Sequence, residues 1–167
     1  MVRIGPLAAG DIAEIADAFA ALGWNKPAAQ YERYLAEQAA GTRDVLVARG
    51  DGKFCGYVTV NWRPDYPPFR DAGIPEVQDF NVLPVYRRRG IGTRLMDEAE
   101  RTAYARAAVV GIGVGLHHDY GAAQRLYVLR GYVPDARGIT AHGRRANWGD
   151  DVKVDDDLVL FLTKSRS

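Results

Sequence analysis

The stretch Val82-Leu83-Pro84-Val85-Tyr86-Arg87-Arg88-Arg89-Gly90-Ile91-Gly92-Thr93 constrains this chain more than any other. A β-rich run ends at Pro84, a short turn follows, and a helical pattern opens at a glycine pair. The first turn of a helix has N–H groups without intrahelical partners and carries a partial positive charge. Glycines let an anion approach that backbone closely, so the segment reads as an anion site joining a strand to a helix. The arginines add charge, and Thr93 adds a hydroxyl donor. It is not a Walker loop, because no Gly-Lys-Ser/Thr follows. It is not a dinucleotide fingerprint either, because Leu95 stands where a third small residue is needed. Taken alone, the glycine pair fits a plain turn beside a solvated arginine run equally well.

The surrounding pattern decides how that turn is used. Val2–Leu7 reads as a first strand. Asp11 reads as an N-cap, followed by Ile12, Ile15, Phe19 and Leu22 at helical spacing. A second helix is predicted from about Pro27 to Ala40. Strands over 44–49 and 54–62 flank Gly50-Asp51-Gly52 as a hairpin. Residues 64–75 hold four of the chain's eight prolines and read as a loop. Glu76–Val82 is a strand, and 90–106 a long helix with Ile91, Leu95, Met96, Ala99 and Ala103 on its inner face. In the strand 109–116, Gly111, Gly113 and Gly115 alternate with Ile112, Val114 and Leu116, which leaves one face bare. Such a face suits close approach of a ligand or packing against the 90–106 helix. A helix over 121–130 and strands at Tyr132-Val133 and 158–162 finish the chain. The order β-α-α-β-β-β-α-β-α-β-β predicts an α/β (α+β) fold with helices on the faces of a sheet.

The 167 residues favour a single domain over 1–167. Nearly half are apolar and the net charge is +1, so there is no global electrostatic case for nucleic acid or an anionic membrane. The lone cysteine, Cys55, forms no intrachain disulfide; it reads as a buried strand residue, with a nucleophile the alternative. No leader or membrane span is visible, and a cytoplasmic protein is expected.

The run from Glu76 to Met96 resembles the central motif of the GCN5-related N-acetyltransferase (GNAT) superfamily. Arg87, Gly90 and Gly92 fill its Gln/Arg-x-x-Gly-x-Gly/Ala pattern, and Val82 and Pro84 its upstream Val-x-Pro. Leu126-Tyr127 followed by Gly131-Tyr132 resembles the second signature, with leucine in the first aromatic place. The resemblance implies a mixed, mostly antiparallel sheet splayed between the strands at 76–82 and 109–116. It also implies acetyl-CoA as acyl donor, without a metal. The pyrophosphate would sit on the backbone of Arg88, Arg89, Gly90, Ile91, Gly92 and Thr93 beside Arg87, with the pantetheine arm along Phe80, Asn81 and Val82. An amine of a small molecule or peptide would attack the thioester directly, and a strand N–H near Val82 would face the developing oxyanion. Tyr127 falls on the family's general acid, or is a core aromatic. Glu76 falls on the glutamate base of the histone-modifying branch, or is an exposed carboxylate at a strand start. Asp79 is a weaker candidate, because odd spacing puts it on the opposite face. The base of the ribosomal-protein branch would fall on Gly115 and is absent. Tyr120 replaces the family's asparagine, and His117 and His118 read as a polar strand end or a helper. Trp24, Trp62, Tyr66, Phe69 and Trp148 are candidates for an aromatic pocket wall, and the aspartates over 150–157 for contacts to a cationic amine. The resemblance implies a homodimer. The competing readings are a non-catalytic acyl-CoA-binding module and a nucleic-acid binder using Arg87–Arg89, the latter disfavoured by the charge.

Overall fold

Asp51 and Gly52 both take positive φ, 51° and 80°. Two such residues give a turn whose twist matches that of the strands it joins. Strands β2 (Arg43–Gly50) and β3 (Lys53–Asn61) accordingly pair antiparallel across it. The computed structural model describes residues 1–167 and builds on this hairpin an eight-stranded sheet. Its other strands are β1 (Val2–Pro6), β4 (Glu76–Val82), β5 (Val109–Gly115), β6 (Val133–Ala141), β7 (Arg144–Arg145) and β8 (Leu158–Ser165). The order is β1-β2-β3-β4-β5-β8-β6-β7, and only β4 and β5 run parallel. This is the mixed, mostly antiparallel sheet that the sequence led us to expect.

Helices α1 (Ile12–Ala20) and α2 (Ala28–Ala39) cover one face. Ile15, Phe19, Tyr31 and Tyr34 pack there on Val45, Val47, Phe54 and Tyr57. Helix α4 (Ile91–Tyr104) covers the other, with Ile91, Leu95, Met96, Ala99 and Ala103 against Val58, Val60, Val77, Val110, Ile112 and Val114. Tyr127 of α5 (Gly121–Leu129) and Tyr132 extend that second core. Leu95 is fully buried, so truncating it to alanine would cost about 2–5 kcal/mol. No helix is long and apolar enough to cross a membrane.

Two expectations are corrected. The proline-rich 64–75 segment is not all loop, because α3 (Pro67–Ala72) forms inside it. Pro67 and Pro68 occupy the first helical positions, where the missing N–H has no partner to lose, and Gly73 (φ 67°) closes the helix in the left-handed region. The strand begun at Val133 runs on to Ala141 and turns back as β7, a pairing that the polar sequence of 135–145 concealed. Asp11 holds the N-cap position of α1 as expected, although its side chain makes no capping hydrogen bond to that helix. Its carboxylate accepts the Ala8 N–H at 2.8 Å and pairs with Arg49, fastening the entry of α1 to β2.

Candidate functional site

β4 carries one residue too many for its partner. Tyr57 faces Asn81, but Thr59 faces Gln78, and the surplus is taken up where Asp79 adopts φ 54°. Such a bulge bends a strand and redirects its side chains. On its other edge β4 pairs with β5 only at Glu76↔Gly111 and Val77↔Ile112, after which the two strands part. A cleft of about 1300 Å³ fills the gap. Trp24 and Lys26 line it on the α1–α2 side, and Gly92, Leu126 and Tyr127 on the α4–α5 side, so it passes through the sheet.

At the C-terminal end of β4 the chain makes the arginine–glycine turn. Arg88 (φ 60°) and Gly90 (φ 75°) are both left-handed, and no side chain caps α4. From Arg88 to Thr93 no backbone N–H is bonded within the protein; the next, Arg94, bonds Gly90. A row of such groups at the start of a 14-residue helix is an anion cradle. Arg87 donates from Nε to the Val82 carbonyl at 3.0 Å, bracing the turn against β4. Arg87, Arg88 and Gly92 line the cleft together with Phe80, Asn81 and Val82. Arg89 lies over the Tyr86 ring, 5.7 Å from its centre, and Ile91 is buried in the α4 core, so Ile91 offers only its backbone.

Further along β4, Glu76 is only 6% exposed and lines the cleft. The exposed-carboxylate alternative is therefore overturned, because pairing with both β3 and β5 encloses the residue. Burial raises its pKa to about 7, with Asp65 adding to the rise, while a hydrogen bond from Gln78 and the charge of Arg43 oppose it. The odd-spacing argument for Asp79 is also corrected: the bulge turns that carboxylate onto the α1–α2 side. There it accepts Lys26 Nζ at 2.6 Å, Gln30 Nε2 at 2.8 Å, the Tyr34 hydroxyl at 3.1 Å, Asn81 Nδ2 at 2.9 Å and the Tyr57 hydroxyl. Asp79 is thus a fully engaged anchor that ties the bulge to α2. Tyr127 is 6% exposed and lines the cleft from the other side. Its hydroxyl has no hydrogen-bond partner in the protein, and burial pushes its pKa up to about 12, so it keeps its proton at neutral pH.

The bare face of β5 meets neither α4 nor open space. A Cβ at Gly111 would fall 2.2 Å from Phe69, at Gly113 3.0 Å from Phe161, and at Gly115 2.4 Å from the Tyr120 ring. Helix α4 packs instead on the Ile112 and Val114 face. The aromatic wall predicted from sequence is largely dispersed. Trp62 lies under Arg106 in the α4 core and Trp148 is fully exposed. Phe69 is buried, and Tyr66 stacks on Phe161 while donating to Asp135. Only Trp24 of that set lines the cleft. Of the late aspartates, only Asp156 lines it. Asp156 accepts the Tyr120 hydroxyl at 3.1 Å and pairs with His117 Nε2 at 2.8 Å. Cys55 is buried and its thiol pKa is raised by that burial, which suits a core residue rather than a nucleophile.

Sequence reasoning missed Lys26, Arg43, Asn61 and Gln78. For the strand residues the sequence signal is a polar residue recurring on one face of otherwise apolar strands, at Thr59 and Asn61 and again at Gln78; Lys26, in the α1–α2 connection, carries none.

The comparisons agree with this geometry. Solved structures share the fold over nearly all of both chains. A GNAT-family acetyltransferase from Desulfovibrio desulfuricans aligns with TM-score 0.73 at 17% identity, covering 99% of each chain. A ribosomal-protein-alanine N-acetyltransferase from Brucella melitensis gives 0.71 at 18%, covering 98% of this chain and 99% of that one. An acetyltransferase from Salmonella typhimurium, solved with its cofactor acetyl-CoA, gives 0.69 at 19%, covering 98% and 93%. At such identities the likeness speaks for the fold. No curated protein matches the chain significantly in sequence. The model of the Acetyltransferase (GNAT) family matches residues 11–132, a span that holds the arginine–glycine turn, the splayed strands and Tyr127 together, and the chain belongs to that family.

Proposed function

We propose that the protein is an N-acetyltransferase that moves an acetyl group from acetyl-CoA to a primary amine by direct attack. The observation that carries this reading is the through-sheet cleft itself. It opens at one end on the unbonded N–H groups around Gly92 and holds a buried carboxyl and a buried protonated phenol along its length.

Acetyl-CoA, when bound, supplies the thioester. The turn from Arg88 to Thr93 would receive the pyrophosphate, a reading supported by its free N–H groups and the neighbouring Arg87. The Phe80–Val82 backbone beyond the bulge lies along the same cleft, where the pantetheine arm would pair. An N–H near Val82 would face the negative charge that develops on the thioester oxygen. A free alkylammonium has a pKa near about 10, so the acceptor must lose a proton before it can attack. Glu76, with a pKa of about 7, titrates near neutrality and suits a base that takes that proton directly or through one water. Tyr127 keeps its proton and suits the acid that returns one to the departing sulfur.

The test is an acetyl-CoA turnover screen over a broad panel of small amines and peptide N-termini, read by release of free thiol. Release with at least one acceptor class is expected. If acetyl-CoA raises the melting temperature yet no amine releases thiol, the protein is a non-catalytic acyl-CoA-binding module instead.

A further inference from the structure

The α1–α2 face of the sheet changes character as it nears the cleft. Over α1 and α2 it is apolar, built on Val45, Val47 and Tyr57. One row further on it becomes polar across three strands. Arg43 faces Asn61, and Asn61 faces Glu76; in the next row Val45 faces Thr59, and Thr59 faces Gln78. Directly opposed residues of antiparallel strands share a face, so Arg43, Asn61, Thr59, Gln78 and Glu76 stand together. Arg43 is 8% exposed, Asn61 7% and Thr59 0%. Polar groups so deeply placed need partners.

They find them in a chain with one direction. Arg43 donates from Nε to Glu37 at 2.5 Å and from Nη1 to Thr59 Oγ1 at 2.8 Å and Gln78 Oε1 at 3.0 Å. The Asn61 side-chain oxygen Oδ1 accepts the Arg63 N–H at 2.9 Å, which turns Nδ2 of the same amide onto Gln78 Oε1 at 3.3 Å. Gln78 Oε1 therefore receives two donors, and its nitrogen is left to donate to Glu76 Oε2 at 2.9 Å. Flipping the Gln78 amide would aim its N–H groups at a guanidinium and its oxygen at a carboxylate, so one orientation is enforced. Glu76 Oε1 takes no hydrogen bond from the protein.

We propose that Gln78 is a positioning residue of the acceptor site, its amide clamped by Arg43 and Asn61 so that it binds one oxygen of Glu76 and leaves the other facing the cleft. The proposal rests on the reading of Glu76 as the base. A carboxyl free to rotate would present either oxygen and would spend part of its time bonded away from the acceptor. The clamp fixes Gln78 through Arg43 and Asn61, neither of which lines the cleft. The groups that act electrostatically on Glu76 are Asp65, from the segment before α3, and Arg43 of β2. Gln78 is its one hydrogen-bond donor, and that bond favours the ionised form.

The test needs no acceptor. The carboxyl resonance of Glu76, assigned by its loss in Glu76→Gln, is titrated by NMR in protein carrying 13C-labelled glutamate. Gln78→Glu keeps the shape and still accepts from Arg43 and Asn61, but once ionised it cannot donate to Glu76. There the Glu76 titration should rise by about 1 pH unit or more, since like charges share the site. Gln78→Met loses the bond without adding charge and should raise it by roughly half as much. Both variants should bind acetyl-CoA as wild type does. Glu76 titrating within about 0.2 pH unit of wild type in both folded variants overturns the proposal. Once an acceptor is known, the acid limb of kcat/KM should move with the titration. If the titration moves but Glu76→Gln is as active as wild type, the base reading fails and the clamp stands. If Glu76→Gln is inactive while the Gln78 variants titrate and turn over normally, the clamp fails and the base reading stands.

Discussion

The two ends of the cleft are built by opposite means. The arginine–glycine turn is made of one contiguous stretch, Arg87 to Thr93, and its working parts are backbone N–H groups on an exposed surface. The floor at Glu76–Asp79 is made of side chains from four separate stretches, Lys26, Gln30–Arg43, Tyr57–Asn61 and β4 itself, tied by hydrogen bonds at low exposure, while the exposed Asp65 acts on Glu76 through its charge alone. A backbone site tolerates most side-chain changes and fails when the backbone cannot be approached. A networked site fails piece by piece, because each member leaves a buried partner unsatisfied.

The largest expected effect strikes the first kind. Gly92→Glu places a carboxylate among the unbonded N–H groups, and its Cβ would also press within 3.0 Å of Phe80. Wild type at a hundredfold excess of acetyl-CoA over Kd should gain about 2.7 kcal/mol of stability, read as a rise in melting temperature. The variant should gain none. A variant that folds and still shows the full rise would mean that the phosphates bind elsewhere.

Second comes Glu76→Gln, which strikes the floor. Turnover should fall by roughly 10²–10⁴-fold, the scale of a positioned base. Stability should move the other way. The Glu76 pKa stands at about 7 in the folded protein against 4.5 ordinarily, so between those values the folded state holds the extra proton. Stability then falls as pH rises through that window, by up to roughly 3 kcal/mol above neutrality. An amide does not titrate, so Glu76→Gln should flatten this slope and be the more stable protein at pH 8. Urea melts at pH 5 and pH 8 decide it; equal slopes for both proteins would show that Glu76 is not held protonated.

The same contrast explains what the sequence disclosed. The turn was legible because an anion cradle of this form needs a local pattern, glycines at fixed spacing where a strand meets a helix. Tyr127 was legible as a position on a helix. The floor was not. Nothing local says that Gln78 will meet Arg43, because their meeting depends on the β2–β3–β4 register. Asp79 was assigned the wrong face because strict alternation cannot foresee a bulge, and the bulge needs Asp79 itself at φ 54°. The glycine strand was misjudged for a similar reason. The rings that fill its bare face come from Phe69, Tyr120 and Phe161, three separate segments that share no periodic signal with the strand.

Third in size is Tyr127→Phe, which removes a proton from the wall between the two ends and leaves the ring in place. Turnover at saturating acetyl-CoA should fall by about 10²-fold, while the Kd for acetyl-CoA, measured by calorimetry, stays near wild type. Because the hydroxyl has no partner in the protein, its loss should cost little stability. Turnover within about threefold of wild type would return Tyr127 to the role of a core aromatic.

The smallest effect separates backbone from side chain within the turn itself. Arg88 is exposed and holds φ 60°, a conformation uncommon for a residue with a Cβ. If the cradle is the N–H row, the guanidinium adds only a screened attraction of the kind worth about 0.2–1 kcal/mol. Arg88→Gly keeps that backbone conformation readily and deletes the charge; Arg88→Ala deletes the charge and keeps the strain. Both should weaken acetyl-CoA binding by about threefold at low salt. The loss should shrink toward nothing near 1 M salt, where the Debye length is about 3 Å. A difference between the two variants, with alanine the weaker binder, would measure how far the left-handed residue holds the cradle in shape. A loss of about a hundredfold or more that persists in high salt would be too large and too insensitive to screening for an exposed charge. It would mean that Arg88 grips the pyrophosphate in a desolvated pair, and the contrast drawn between a backbone site and a side-chain site would have to be given up at this end of the cleft.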